Sequence, residues 1–167
     1  MQSSSFTSKA YMSQLTIIHF ALLMGVILFG AVTILLNSQD QLQNPGSDLT
    51  ETLQLVASVV ALIGIIASRF MSNQQLKKLQ QKGNLFEKLI GYQGVLITKY
   101  ALLEAPSLFG VVCFFLTGNY FFLGTTVLIL AIFIGQRPTR FKLVNDLHLN
   151  QEEKAQIENP EAMIKKY

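Results

Sequence analysis

The sequence predicts an all-α integral membrane protein of four transmembrane helices, arranged as two duplicated hairpins and followed by short cytoplasmic C-terminal helices. Three observations carry that prediction. Of the 167 residues, 50% are hydrophobic and only 14% charged, whereas a soluble domain of this size carries about 25% charged residues. The apolar residues are gathered in blocks long enough to cross a bilayer, whose core of about 30 Å takes about 20 residues of helix. One of these blocks is also repeated 80 positions further along the chain.

The first block runs from Leu15 to Leu36, broken only by weakly polar groups and His19. Its 22 residues exceed the apolar run of a secretory leader, and no small-residue cleavage site follows Leu36, so it is expected to stay as an anchor. The second block spans Leu53 to Met71 and the third Val95 to Leu116, which holds Lys99 and Glu104. The fourth runs from Tyr120 to Gly135 and stops at Arg137-Pro138, where proline cannot continue a helical ladder. Backbone groups in hydrocarbon must bond within the chain, so each block reads as a helix. The expected organisation is a four-helix membrane domain over 1–136 and a cytoplasmic tail over 137–167.

Charge sets the orientation. Asn37 to Glu51 holds Asp40, Asp48 and Glu51 and no cation, and Thr117-Gly118-Asn119 is likewise free of Lys and Arg. Twelve of the thirteen Lys and Arg residues fall in the N-terminal arm, the middle loop with Arg69, or the tail, with Lys99 the exception. By the positive-inside rule the protein sits in the cell inner (plasma) membrane with both termini and the middle loop in the cytoplasm. The net charge of +3 is thereby a matter of topology. Nucleic acid is excluded as a partner, because the cations flank spans and form no aromatic-interleaved stripe.

The repeat pairs Ile17–Leu36 with Ile97–Leu116, with nine of twenty positions identical, including ALL and LFG at the same places. This implies two hairpins of the same orientation, a parallel repeat. Where the first copy reads Met24-Gly25-Val26, the second reads Glu104-Ala105-Pro106. A charged acid at mid-span costs about 2.5–3.5 kcal/mol on insertion scales, so Glu104 is the natural candidate for handling a proton or cation, or for a contact between helices. Tyr100 and Ser107 lie within a turn of it on the helix, and Pro106 frees the carbonyl of Leu102 as an extra acceptor. Glu104, Tyr100, Ser107 and Leu102 are therefore the candidate ion-binding set. Small residues at four-residue spacing mark expected helix contacts: Ala21 and Gly25, Ala57 and Ala61, Gly64 and Ser68, Ala101 and Ala105.

Ala101-Leu102-Leu103-Glu104-Ala105 followed by Leu108-Phe109-Gly110 resembles the carboxyl-bearing helix of the rotary ATPase proteolipid, subunit c. That resemblance covers about 20 residues and implies an ion-carrying role for Glu104, with H⁺ or Na⁺ as the partner. Over more of the chain, the pattern LLEAPSLFG, LTGN and RPT looks like small bacterial four-span membrane proteins without an assigned activity.

In the middle loop, Leu76 and Leu79 fall at helical spacing among Lys77, Lys78 and Lys82, and Gly83-Asn84 reads as a break. In the tail, Phe141, Val144, Leu147 and Leu149 precede Asn150-Gln-Glu-Glu153, a capping-box-like start. Two short helices are expected there, the second ending before Asn159-Pro160, with Glu161 to Tyr167 simplest as a solvated end. Signatures of phosphate loops, zinc proteases, serine hydrolases and CxxC redox sites do not occur. His19 and His148 are too far apart in the sequence to propose a metal, and Cys113 reads as an inert small hydrophobe. No cofactor is expected. The function expected is a non-enzymatic membrane subunit of a homo-oligomeric or larger complex. An ion-translocating, proteolipid-like subunit is the alternative, and a small four-span efflux carrier a weaker one.

Overall fold

The computed structural model describes residues 5–38 and 47–165. Asp40 of the acidic loop and Lys166 of the tail lie outside the described residues. In chain order the elements are β1 (Ser5–Thr7), α1 (Ser8–Asn37), α2 (Ser47–Gln80), α3 (Leu85–Thr117), α4 (Phe121–Gly135), α5 (Arg140–Leu147), α6 (Gln151–Glu158) and β2 (Met163–Lys165). Helix dominates as expected. α1, α2 and α3 are each long and apolar enough to cross a membrane, whereas α4 reaches that length only as a bent pair with α5. At 1.5 Å per residue, the 15 residues of α4 span about 22 Å.

The chain divides into two compact units, and α1, α2 and α3 each contribute to both. The first takes residues 1–19, 70–99 and 137–167; the second takes 20–69 and 100–136. The border at 136/137 therefore opens the tail, but the tail shares its unit with the N-terminal arm and the middle segment.

The second unit is the apolar one, and α3 is its hub. Gly30 of α1 approaches Val111, Gly64 of α2 approaches Leu102 and Pro106, and Gly110 faces Thr126 and Phe122 of α4. Ala57, Cys113, Phe114 and Phe122 form a buried cluster, flanked by Leu53, Phe109 and Leu123. Gly118 adopts φ +65° in the turn between α3 and α4, a conformation glycine takes without a Cβ clash. α1 buries a single stripe here, Leu23, Val26, Gly30 and Thr33, and exposes most of its remaining surface. In water that surface would be unsustainable; in hydrocarbon it is the normal exterior of a span.

The first unit is a small mixed domain made of three separate stretches of chain. β1 pairs antiparallel with β2, Phe6 opposite Ile164. Ile164 is buried, so Met163–Lys165 is a strand rather than part of the solvated segment the sequence suggests. Phe6 stacks on Tyr11 and also meets Phe86, at 5.4 Å in both cases. Ser8 Oγ donates to the Ile157 carbonyl at 2.6 Å and Tyr11 Oη to that of Leu89 at 2.7 Å. Tyr92 Oη donates to Asp146 Oδ2, and Gln80 Nε2 to the Asp146 carbonyl. Leu89, Leu143, Leu147 and Ile157 fill the interior. α6 opens with the expected capping box: the Asn150 side chain accepts from the Glu153 amide, and the Glu153 carboxylate accepts from the Asn150 amide.

Candidate functional site

Pro106 lies inside α3 without ending it. A proline there removes its own N–H, which leaves the Leu102 carbonyl without its usual helical donor. α2 meets α3 at this point. A Cβ built on Gly64 would sit 2.8 Å from the Leu102 oxygen and 2.8 Å from Pro106 Cγ, so only glycine admits the approach. The freed carbonyl is thus approached closely by α2 at Gly64. Ala57, Ala61, Gly64 and Ser68 are all buried along one stripe of α2, the face that the small-residue spacing marks out.

The other small pairs behave differently. Ala21, Gly25, Ala101 and Ala105 are exposed on the surface of the chain. α1 buries the positions next to Ala21 and Gly25, and α3 turns Ala101 and Ala105 away from the helices that pack on it. Glu104 is half-buried beside them, and its Oε1 lies 3.9 Å from where a Gly25 Cβ would be. Among the described residues, Glu104 takes part in no hydrogen bond or ion pair.

The remaining members of the candidate ion set are engaged elsewhere. Tyr100 is fully buried, donates to the Gln136 carbonyl at 3.1 Å and packs on Phe133 with ring centroids 5.2 Å apart. Ser107 Oγ turns back to the Leu103 carbonyl at 2.8 Å, a bond within its own helix. The Ser107 carbonyl instead receives Thr126 Oγ1 of α4 at 3.3 Å. Glu104 is therefore not joined by Tyr100, Ser107 or the Leu102 carbonyl in a coordination shell. Helical spacing placed them within a turn of one another, but each side chain's direction is set by the neighbour it meets. His19 is buried.

Sequence reasoning missed the Lys88–Glu153 ion pair of the first unit, in which Nζ lies 2.8 Å from Oε1. The partners are 65 positions apart, and the only local signal was the capping role of Glu153. Among the described residues, no cluster of three or more His, Cys, Asp or Glu side chains forms a metal-binding group. No protein-family model, curated protein or solved structure matches the chain.

Proposed function

We propose that the protein is a four-span, non-enzymatic subunit of a homo-oligomeric or larger inner-membrane assembly, with both ends in the cytoplasm. Glu104 carries the reading. A carboxyl in hydrocarbon is costly and finds a partner or a pathway, and this one has no bonding partner within the described residues. It is bordered by Gly25, Ala101 and Ala105, residues small enough to let another helix approach closely. A neighbouring subunit is the simplest source of the missing hydrogen bond.

Parity supports the number of spans. β1 and β2 are hydrogen-bonded to each other, which favours an arrangement with both strands on one side of a membrane and an even number of crossings between them. With three long helices, that calls for α4 as a fourth crossing. Its 15 residues reach 17, the lower limit for a span, only when the flanking Tyr120 and Gln136 are counted. The lysines and arginines gathered in the first unit support a cytoplasmic location for that side. Burial supports the duplication: Leu23, Val26, Gly30 and Thr33 are buried, and so are Leu103, Pro106, Gly110 and Cys113, their counterparts 80 positions on.

The test is cysteine crosslinking in native membranes. Single cysteines at Ala101 and Ala105 are expected to give covalent dimers on oxidation, and a cysteine at the exposed Ile66 of α2 is not. Monomers at all three positions, together with a monomeric mass in detergent, would sink the assembly reading. The unpaired carboxyl also favours a second reading, proton or cation coupling at Glu104. There, carbodiimide modification of Glu104 would slow in Na⁺ or at high pH, and Glu104→Gln would abolish ion-dependent flux in proteoliposomes. Labelling indifferent to both would remove it.

A further inference from the structure

α5 begins five residues after Gly135, the last residue of α4. At no more than about 3.5 Å per residue, its first turn is within about 18 Å of the end of that apolar helix. The polar headgroup zone occupies roughly 5–8 Å on each face of the bilayer, so α5 starts within reach of it. Its composition suits that boundary. Phe141 is 75% exposed, the most exposed of the large hydrophobic side chains among the described residues, although Leu143 and Leu147 of the same helix are fully buried. The ring stands among Arg137, Arg140 and Lys142 in the sequence.

Beside this ring, α5 and α6 enclose a pocket of about 150 Å³ lined by Arg140, Phe141, Val144, Asn145, Lys154 and Glu158. Arg140 Nη1 donates to the Glu158 carbonyl at 3.4 Å, which engages one of the guanidinium's five N–H donors. Lys154 Nζ lies 3.8 Å from Glu158 Oε1, with both side chains about half exposed. An ion pair that long and that exposed is weak, so Lys154 can exchange Glu158 for a phosphate oxygen at little loss. Lys142, which does not line the pocket, donates from Nζ to the Arg137 carbonyl at 3.2 Å. Two cations and an amide against one carboxylate, with an apolar ring at the rim, match a phosphate joined to hydrocarbon better than a free anion.

We propose that this pocket binds the headgroup phosphate of an anionic phospholipid between Arg140 and Lys154, with Phe141 lying in the acyl boundary. The lipid-bound pocket ties α5 and α6 to the bilayer surface. The proposal requires that the chain is embedded in a membrane; it does not depend on the assembly reading.

The test uses the full-length protein in uncharged detergent micelles, with phosphatidylglycerol, phosphatidylcholine or inorganic phosphate added. Bound lipid is read by native mass spectrometry and stability by the unfolding midpoint. Phosphatidylglycerol is expected to bind and raise the midpoint, and the other two are not. Lys154→Gln should weaken phosphatidylglycerol binding about five-fold, with a further loss of about five-fold on adding Arg140→Gln. Lys77→Gln with Lys78→Gln, on the exposed end of α2, should leave binding unchanged. Equal stabilisation by inorganic phosphate would overturn the lipid assignment. Unchanged affinity in Lys154→Gln, or an equal loss in the Lys77/Lys78 variant, would overturn the site. Lys154 is exposed and weakly paired, so this variant keeps the proposal testable even if Arg140→Gln fails to fold.

Discussion

Lys88 Nζ lies 2.8 Å from Oε1 and 3.0 Å from Oε2 of Glu153, with both side chains about nine-tenths buried. One carboxylate thus holds the start of α3 and also closes the N-terminus of α6 through the Asn150 amide at 3.0 Å. Removing a single partner would leave the other charge buried and uncompensated. Lys88→Met is therefore expected to destabilise the first unit by about 3–5 kcal/mol. Lys88→Met combined with Glu153→Leu should recover much of that, less about 1 kcal/mol for the lost cap. Hydrogen exchange of the α6 amides reads both effects; wild-type protection in Lys88→Met would disprove the role of the pair.

Gly64 and Gly94 form a matched pair of helical glycines. A Cβ at Gly64 meets backbone at 2.8 Å, whereas one at Gly94 meets nothing within 4 Å. Gly64→Ala is expected to cost about 1–3 kcal/mol by forcing α2 from α3. Gly94→Ala should be neutral, or stabilising by up to about 1 kcal/mol through helix propensity. Unfolding midpoints in the same detergent make the comparison, and equal shifts would contradict the close approach at Leu102.

The strand register can be trapped covalently. Ser5 and Lys165 are partners in the antiparallel pair, so Ser5→Cys with Lys165→Cys should oxidise to an intramolecular disulfide. The native Cys113 is buried and belongs to the other unit. A faster-migrating band on non-reducing gels, absent in either single variant, is the expected result. Failure to crosslink in intact membranes would undo the parity argument for four spans as well as the register.

Thr126 Oγ1 donates at 3.3 Å to the Ser107 carbonyl and at 3.0 Å to that of Phe122 in its own helix. Its bond across helices is expected to contribute only about 0.6 kcal/mol, the average for such bonds in membranes. Thr126→Val keeps the shape and should lower stability by no more than about 1 kcal/mol. Thr126→Leu, which overfills the space over Gly110, should cost more. The reverse order would show that hydrogen bonding, rather than packing, joins α3 to α4.

The parts legible in the sequence rest on local chemistry. Apolar blocks mark α1, α2 and α3, which are of membrane length, and the shorter α4; Pro138 follows the last of them; the Asn150–Glu153 capping box opens α6. The Ala57-Ala61-Gly64-Ser68 stripe was legible too, because small residues at helical spacing have a direct packing consequence. The same rule did not separate that stripe from Ala21, Gly25, Ala101 and Ala105, since spacing marks a smooth face without saying what covers it.

What the sequence by itself determined is which segments are apolar enough to enter hydrocarbon and where α6 is capped, because hydropathy and capping act over a few residues; α1, α2 and α3 run well beyond their apolar blocks. Only the tertiary structure decided that the two ends meet as β1 and β2 and that Lys88 reaches Glu153. It alone turned Tyr100 to Gln136 and left Glu104 without a bond among the described residues. These depend on pairings between segments tens to more than a hundred residues apart, and a buried polar group takes whichever partner the packing brings within reach.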